Sequence, residues 1–227
     1  MTRSVPLSSK DANAAAASGA IAPAPEPHIG YDALKRVLDI AVALAVLAVT
    51  APIWTVAALA ILAESGRPVL FRQERLGRHA RKFICIKFRT MIPDAESRLQ
   101  EAMAAASVEG PEFKGATDPR VTRLGRLLRA WSIDELPQFL NVLRGEMSVV
   151  GPRPIAEWEA EYQGHGWRRL AVKPGLTGTW QISGRSSIGW EQRMQLDVDY
   201  VDRRSLWGDL WIMARTPWAI LSRRGAV

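Results

Sequence analysis

Thiol and imidazole are almost missing from this 227-residue chain, which has one cysteine, Cys85, and three histidines, His28, His79 and His165. A single thiol excludes an intramolecular disulfide and suits a reducing compartment. Set in the alternating stretch "KFICIKF", Cys85 reads as a small buried filler. The histidines show no ligand spacing, which argues against a zinc site. No internal repeat is visible. The first 30 residues, with runs such as "AAAASGAIAPAPEP", lack the bulky side chains a core needs and any apolar block long enough for a secretory signal, so a disordered tail is expected. Acids are not scarce: 23 Asp and Glu stand against 30 Lys and Arg, so the formal charge of +7 is an excess of base over a substantial acidic complement. Such a surface suits anionic partners: phosphates, acidic lipid headgroups or nucleic acid. The length allows one good core, or a smaller core with an appendage.

What the chain does have is a long uncharged run. About 24 residues from Ile40 to Ala63 carry no charge, enough to cross a hydrocarbon core as a helix. Pro52 lies mid-run, where it removes one backbone hydrogen bond and crowds the preceding turn, so a bend is expected there. Lys35 and Arg36 precede the run and Arg67, Arg72 and Arg75 follow it. Since a single crossing carries its basic excess on one side, these flanks leave open both a bent crossing and a helix that enters and returns to the same face. A buried helical hairpin in a soluble core is the third reading. Near the other end, Trp207, Trp211, Ala214 and Trp218 share one helical face, with Arg215, Arg223 and Arg224 nearby. That pattern suits the headgroup boundary, with an ordinary core helix as the alternative.

Between these segments the pattern is mixed. "PVLFRQERLGRHARKFICIKFRTM" reads as a β-hairpin whose second strand brings Lys87 and Arg89 to one face. Residues 94–107 are expected to be helical and 109–120 a mobile, turn-rich loop. "RVTRLGRLLRAWSIDELPQFLNVLRG" reads as helix, break, helix; "MSVVGPRP" as a short strand ending in a rigid turn; "VKPGLTGTWQISGR" as irregular and glycine-rich.

The break carries two adjacent acids, Asp134 and Glu135. Ser132 with Glu135 three residues on forms a capping box, and Asp134 could itself cap the helix that follows. Yet basic residues crowd the neighbourhood in sequence: Lys87, Arg89, Arg120, Arg123, Arg126, Arg129, and Arg153 held between Pro152 and Pro154. A proline-clamped arginine has a stiff backbone suited to aiming a bidentate guanidinium at phosphate. Carboxylates beside such cations are the requirement of magnesium-assisted phosphoryl transfer, and a carboxylate can also attack phosphorus to form an acyl phosphate.

On these residues the chain, from about Lys35 to its C-terminus, resembles the small monotopic phosphoglycosyl transferases among the bacterial sugar transferases. The motifs that carry the resemblance are "PVLFRQERLGRHARKFICIKFRTM", "DPRVTRLGRLLRAWSIDELPQFLNVLRGEMSVVGPRP", "KPGLTGTWQISGR" and "LDVDYV". It implies an α/β protein, mostly helical with a small β-hairpin, in three parts: the tail 1–30, a re-entrant membrane hairpin 31–64, and a catalytic domain 65–227 at the cytoplasmic face of the inner membrane with an interfacial C-terminal helix. It implies transfer of a sugar 1-phosphate from a UDP-sugar to polyprenyl phosphate, with release of UMP and Mg2+ as cofactor, and no nucleic-acid partner. Asp134 is then the nucleophile and a metal contact, Glu135 its dyad partner, and Lys87, Arg89, Arg129 and the Pro152-Arg153-Pro154 turn bind substrate. Four departures stand out: Ala80 where the family commonly has glycine, Thr90 for serine, Ile133 for leucine, and Ala51 where a serine frequently precedes the breaking proline. A non-enzymatic basic module binding nucleic acid or acidic lipid would explain the charge but gives the acid pair nothing to do.

Overall fold

The computed structural model describes residues 30–95, 97–98, 118–156, 164–184 and 187–222. The expected tail, most of the 94–107 helix and most of the 109–120 loop lie outside the described residues, as do His28 and the His165 side chain. The opening of the expected 94–107 helix, through Ala95, is turn.

The uncharged run forms most of helix α1 (Tyr31–Ser65), 35 residues that run through Pro52 without a break in the helix. Pro52 cannot donate to the carbonyl one turn back. Hydroxyls flank that gap: Thr50 donates to the Val46 carbonyl at 2.7 Å and Thr55 to that of Ala51 at 3.4 Å. Neither reaches the Ala48 carbonyl that Pro52 leaves open, so neither replaces the hydroxyl that Ala51 lacks. The helix closes on Gly66, at φ 71°, whose N–H bonds the Leu62 carbonyl.

Helix α1 touches the rest of the protein in two separate places. Tyr31, Asp39 and Ala43 are buried at the first, Ala57 and Ile61 at the second, and no residue between Ala43 and Ala57 is buried. Leu44, Val49, Ile53 and Val56 are 55%, 78%, 42% and 67% exposed. A core hairpin would bury these side chains, so the reading as a soluble helical core does not hold. α1 is long and apolar enough to cross a membrane.

The hairpin forms as expected: β1 (Leu70–Leu76) pairs antiparallel with β2 (Lys82–Phe88), Leu70 opposite Phe88 and Leu76 opposite Lys82. In its turn His79 and Ala80 both have positive φ, 56° and 57°. That conformation accounts for the glycine common in the family at Ala80, because a Cβ crowds the carbonyl in the left-handed region. Helices α2 (Arg123–Ala130) and α3 (Gln138–Arg144) flank a 3-10 turn, Ile133–Glu135, that bears the acids. Strand β3 (Ser148–Val150) pairs in parallel with β4 (Gly175–Thr177), which leads into α4 (Thr179–Ser183), α5 (Trp190–Arg203) and α6 (Leu206–Leu221).

One core cluster gathers Ala43 of α1, Phe83 and Cys85 of β2, Val142 of α3, Val149 and Val150 of β3, Tyr200 and Val201 of α5 and Ile212 of α6. Cys85 is the buried filler its setting predicted, and burial pushes its thiol pKa up. The α6 face with Trp207, Trp211 and Trp218 points outward, 80%, 48% and 73% exposed, while Asp209 and Ile212 face in. That excludes the ordinary core helix with tryptophan buried. Arg215 lies over the Trp211 ring at 4.8 Å.

Candidate active site

The acids sit where strand β2, the 3-10 turn and the loop after β3 meet. Two placements make this possible. Asn141, fully buried in α3, accepts from the Ile86 N–H at 3.1 Å and donates to the Ile84 carbonyl at 2.7 Å, so α3 is tied to the edge of β2 that delivers Lys87. Gly125 in α2 lets that helix approach the chain just beyond β2, since a Cβ there would lie 2.1 Å from the Thr90 carbonyl oxygen. The sequence signal for Asn141 was a polar residue on the inward face of "QFLNVLR", and it was missed.

The turn after β3 is anchored at successive carbonyls. Pro152 O accepts from Gly175 N at 2.8 Å, Arg153 O from the Arg169 guanidinium at 2.7 Å, and Ile155 O from Leu76 N at 2.9 Å. The stiffness expected of Pro152-Arg153-Pro154 therefore comes from these bonds as well as from the rings. Gly175 is essential to the packing, because a Cβ on it would fall 2.1 Å from the backbone nitrogen of Gly151.

Glu135 is the point of convergence. Lys87 Nζ lies 3.0 Å and an Arg153 terminal nitrogen 2.9 Å from the same Glu135 oxygen. Although burial pushes its pKa up, Arg153 and Lys87 together hold the Glu135 carboxyl well below the usual range. Asp134 is different. It is buried, and no described residue donates a hydrogen bond to its carboxylate. Burial, then the charge of Glu135, push its pKa up to about 6, against the pull of Lys87, Arg129 and Arg153. One acid is thus held firmly ionised while its neighbour is left basic and unengaged.

Neither acid is a helix cap. Ser132 makes no side-chain cap bond, and its backbone is left-handed at φ 56°. The residue before α3 is Pro137, again without a side-chain cap. The capping-box alternative is therefore overturned: Glu135 is drawn to Lys87 and Arg153 instead of to the backbone of Ser132. A non-glycine residue in that conformation stores strain beside the acids.

Of the other expected site residues, Arg129 is half-buried near the pair and donates from Nε to the Thr90 hydroxyl at 2.9 Å, a bond that serine would also supply. Arg89 goes elsewhere. One of its terminal nitrogens donates to Ser65 O, Ser65 Oγ and Gly66 O at 2.8, 2.9 and 2.7 Å, which stitches the end of α1 to the hairpin. Arg120 is buried against Asp118 at 2.7 Å, and Arg123 and Arg126 are exposed on α2. Among the described residues no three His, Cys, Asp or Glu side chains gather as a metal cage. Magnesium does not need one, since one or two carboxylates with substrate phosphate oxygens suffice, and the unengaged Asp134 carboxylate fits that role.

Lys35 and Arg36, which precede the apolar run, are bound inside the fold. Arg36 donates to the carbonyls of Val142 and Leu143 at 2.6 and 2.8 Å, while Lys35 meets the fully buried Asp209 at 2.9 Å. Asp39, uncoded by any motif, accepts from the Ser148 hydroxyl at 3.0 Å and the Val149 N–H at 2.9 Å. These contacts fix α1 on the strand that leads to Arg153.

A family model described as bacterial sugar transferase matches residues 30–223. The chain belongs to that family. Among curated bacterial sugar transferases it is 41% identical over 198 residues to the UDP-galactose-lipid carrier transferase of Erwinia amylovora, covering 85% of this chain and 41% of that protein. It is 42% identical over 222 residues to the UDP-glucose:undecaprenyl-phosphate glucose-1-phosphate transferase of Caulobacter vibrioides, covering 89% and 75%. It is 38% identical over 197 residues to the exopolysaccharide production protein ExoY of Sinorhizobium fredii, covering 85% and 87%. The chain spans about two fifths of the length of the Erwinia protein and of its Salmonella typhimurium counterpart, an undecaprenyl-phosphate galactose phosphotransferase.

Proposed function

We propose that this sugar transferase moves a sugar 1-phosphate from a UDP-sugar to polyprenyl phosphate, releasing UMP, as the first membrane step of a surface polysaccharide. The observation that carries the reading is the division of labour in the acid pair: Asp134 buried and unengaged, Glu135 held by Lys87 and Arg153. The printed activities of the Erwinia, Salmonella and Caulobacter relatives support the substrate classes.

In this reading the Asp134 carboxylate attacks the phosphorus that bears the sugar. An Asp134 oxygen–phosphorus bond forms, the bond to the bridging oxygen breaks, and UMP leaves with that electron pair. An oxygen of polyprenyl phosphate then attacks the same phosphorus and returns Asp134 to its carboxylate. Lys87, Arg129 and Arg153 offset the charge on the phosphoryl oxygens, and Glu135 aims two of these cations. Asp134 would hold Mg2+ together with the donor's phosphate oxygens, and the ion when bound lowers the repulsion between nucleophile and phosphate.

The acceptor is a lipid, so the site belongs at a membrane surface. The bare middle of α1, with both ends packed on one body, supports an apolar segment that enters the membrane and returns to the same face, a reading in which the helix, continuous through Pro52 in this structure, bends there; the outward tryptophans of α6 support an interfacial helix at the cytoplasmic face of the inner membrane. The test is UMP release from purified membranes with a panel of UDP-sugars, with and without polyprenyl phosphate. Release that demands both substrates supports the reading; none with any UDP-sugar overturns it. Intact mass after mixing with donor alone tests the covalent step: an adduct of sugar-phosphate mass that Asp134→Asn abolishes is expected.

A further inference from the structure

One buried polar side chain close to the acids has nothing to hold. Gln138, the first residue of α3, is 2% exposed, yet its side-chain nitrogen has no hydrogen-bond partner among the described residues. Such a group is rare in a folded protein, because an amide shut away from water without an acceptor forfeits its hydration and gains no bond in exchange. The reaction proposed for the acids leaves it without a task.

The backbone shows which way Gln138 faces. Leu136 and Pro137 both keep right-handed helical dihedrals, so the chain winds almost as one helix from the 3-10 turn at Ile133 to Arg144. At spacings of four and three, Asp134, Gln138 and Asn141 fall on one face of that path, and all three are buried. Asn141 bonds the backbone of Ile84 and Ile86, while Lys87, next along β2, reaches Glu135. Gln138 lies one turn before Asn141. Helical side chains lean toward the N-terminal end of their own helix, which carries its carboxamide toward the acids. A carboxylate without a donor and an amide without an acceptor thus stand one turn apart.

We infer that Gln138 is a further catalytic residue of the proposed reaction, on which this inference rests: its side-chain N–H donates to a non-bridging oxygen of the phosphoryl group as that group joins Asp134. A phosphoryl group satisfies both neighbours at once, since its phosphorus takes the carboxylate oxygen and its free oxygens accept N–H bonds. Gln138 makes and breaks no covalent bond and moves no proton; it contributes an oriented dipole. A neutral donor suits this place better than a fourth cation. Lys87, Arg129 and Arg153 already pull the Asp134 pKa down, and another positive charge would blunt the nucleophile, whereas an amide spares its basicity. Because the acceptor arrives only with the transferring phosphorus, the bond belongs in kcat rather than in KM.

The experiment uses the full chain in detergent, with polyprenyl phosphate and the UDP-sugar that supports UMP release. Gln138→Met keeps the length and volume of the side chain and removes its polar end. It is expected to lower kcat about a hundredfold, as loss of one donor to a developing oxyanion does, with KM for both substrates changed less than about twofold. It should also unfold at a temperature roughly 2–4 °C higher, since no buried amide is left without a partner. On rapid mixing with donor alone, the adduct on Asp134 should form more slowly. A residue that only packs gives no such pairing of greater stability with lost turnover, and Gln138→Leu should repeat it. A kcat for Gln138→Met within about twofold of the wild type overturns the inference. So does a lower unfolding temperature with a matching loss of kcat, which makes the role structural. So does a shifted acid limb of the pH profile with an unchanged plateau, which assigns the amide to Asp134 itself. If the wild-type protein releases UMP from no UDP-sugar, the proposed reaction itself has failed.

Discussion

Two adjacent carboxylates in one low-dielectric pocket resist ionising together, and the site resolves this by giving its cations to one of them. Glu135 takes both Lys87 and Arg153, so the cost of the second charge falls on Asp134, whose pKa is raised to about 6. A higher pKa makes a better nucleophile, and above about pH 6 the group is still ionised. Turnover should therefore fall on the acid side with an apparent pKa near 6, read from the pH profile of UMP release. The stability signs are opposite for the two acids. The burden of Asp134 builds as pH rises from its ordinary carboxylate range and is complete above about 6, whereas the contribution of Glu135 is present above its ordinary pKa and is lost only well below it. Asp134→Asn should thus abolish UMP release while making the protein more stable at pH 8, on the order of 2 kcal/mol, measured by thermal unfolding. Glu135→Gln should lose activity and stability together, because it releases two half-buried cations at once. Equal stability of the wild type and Asp134→Asn across pH 5–8 would contradict the division described.

At the scale of elements, the hairpin turn and the end of α1 make separable predictions. Ala80→Gly should relieve the left-handed strain at φ 57° and, after the loss of a buried methyl group and the greater freedom of the unfolded chain, gain roughly 0.5–1 kcal/mol without changing activity. Arg89→Met removes the bonds to Ser65 and Gly66 and should cost about 2 kcal/mol in denaturant unfolding while leaving KM for the UDP-sugar intact. A large rise in KM instead would return Arg89 to the substrate side. These cases also show where sequence reasoning reaches. Period-two alternation placed Lys87 correctly, because β2 pairs along its whole length and its neighbours Phe83 and Cys85 are core residues. It erred for Arg89 because the strand ends at Phe88, and beyond it the nearest acceptors are the bare carbonyls at the end of α1. The acid pair was visible as a pair, but its capping alternative could be settled only by seeing Lys87 and Arg153 arrive from elements far apart in sequence. Asp39 and Arg169 act through such distant partners, so no local pattern announces them, whereas Asn141 left only the trace of a polar residue on an inward helix face.

For the whole molecule, the decisive feature is that many basic side chains are spent inside. Lys35, Arg36, Arg78, Arg89 and Arg120 reach internal acceptors, so the excess of base in the composition overstates what the surface offers to a polyanion. At Asp209 three donors from two helices, Tyr31, Lys35 and Tyr200, meet a carboxylate with no exposure at all. Asp209→Asn should cost about 3 kcal/mol, since it leaves a half-buried ammonium unpaired, and the loss should appear as a lower unfolding temperature in detergent. The α1 run and the tryptophan face of α6 could be read from sequence because apolarity and period are local properties. How α1 attaches could not, because its anchors lie in β3, α3 and α6. Those anchors divide into two independent sets, Tyr31 to Ala43 on one side of Pro52 and Trp54 to Ser65 on the other. A gene split in the codons between Thr50 and Trp54 should accordingly yield two polypeptides that reassociate in the same bilayer and regain activity on co-expression, with no covalent link between them.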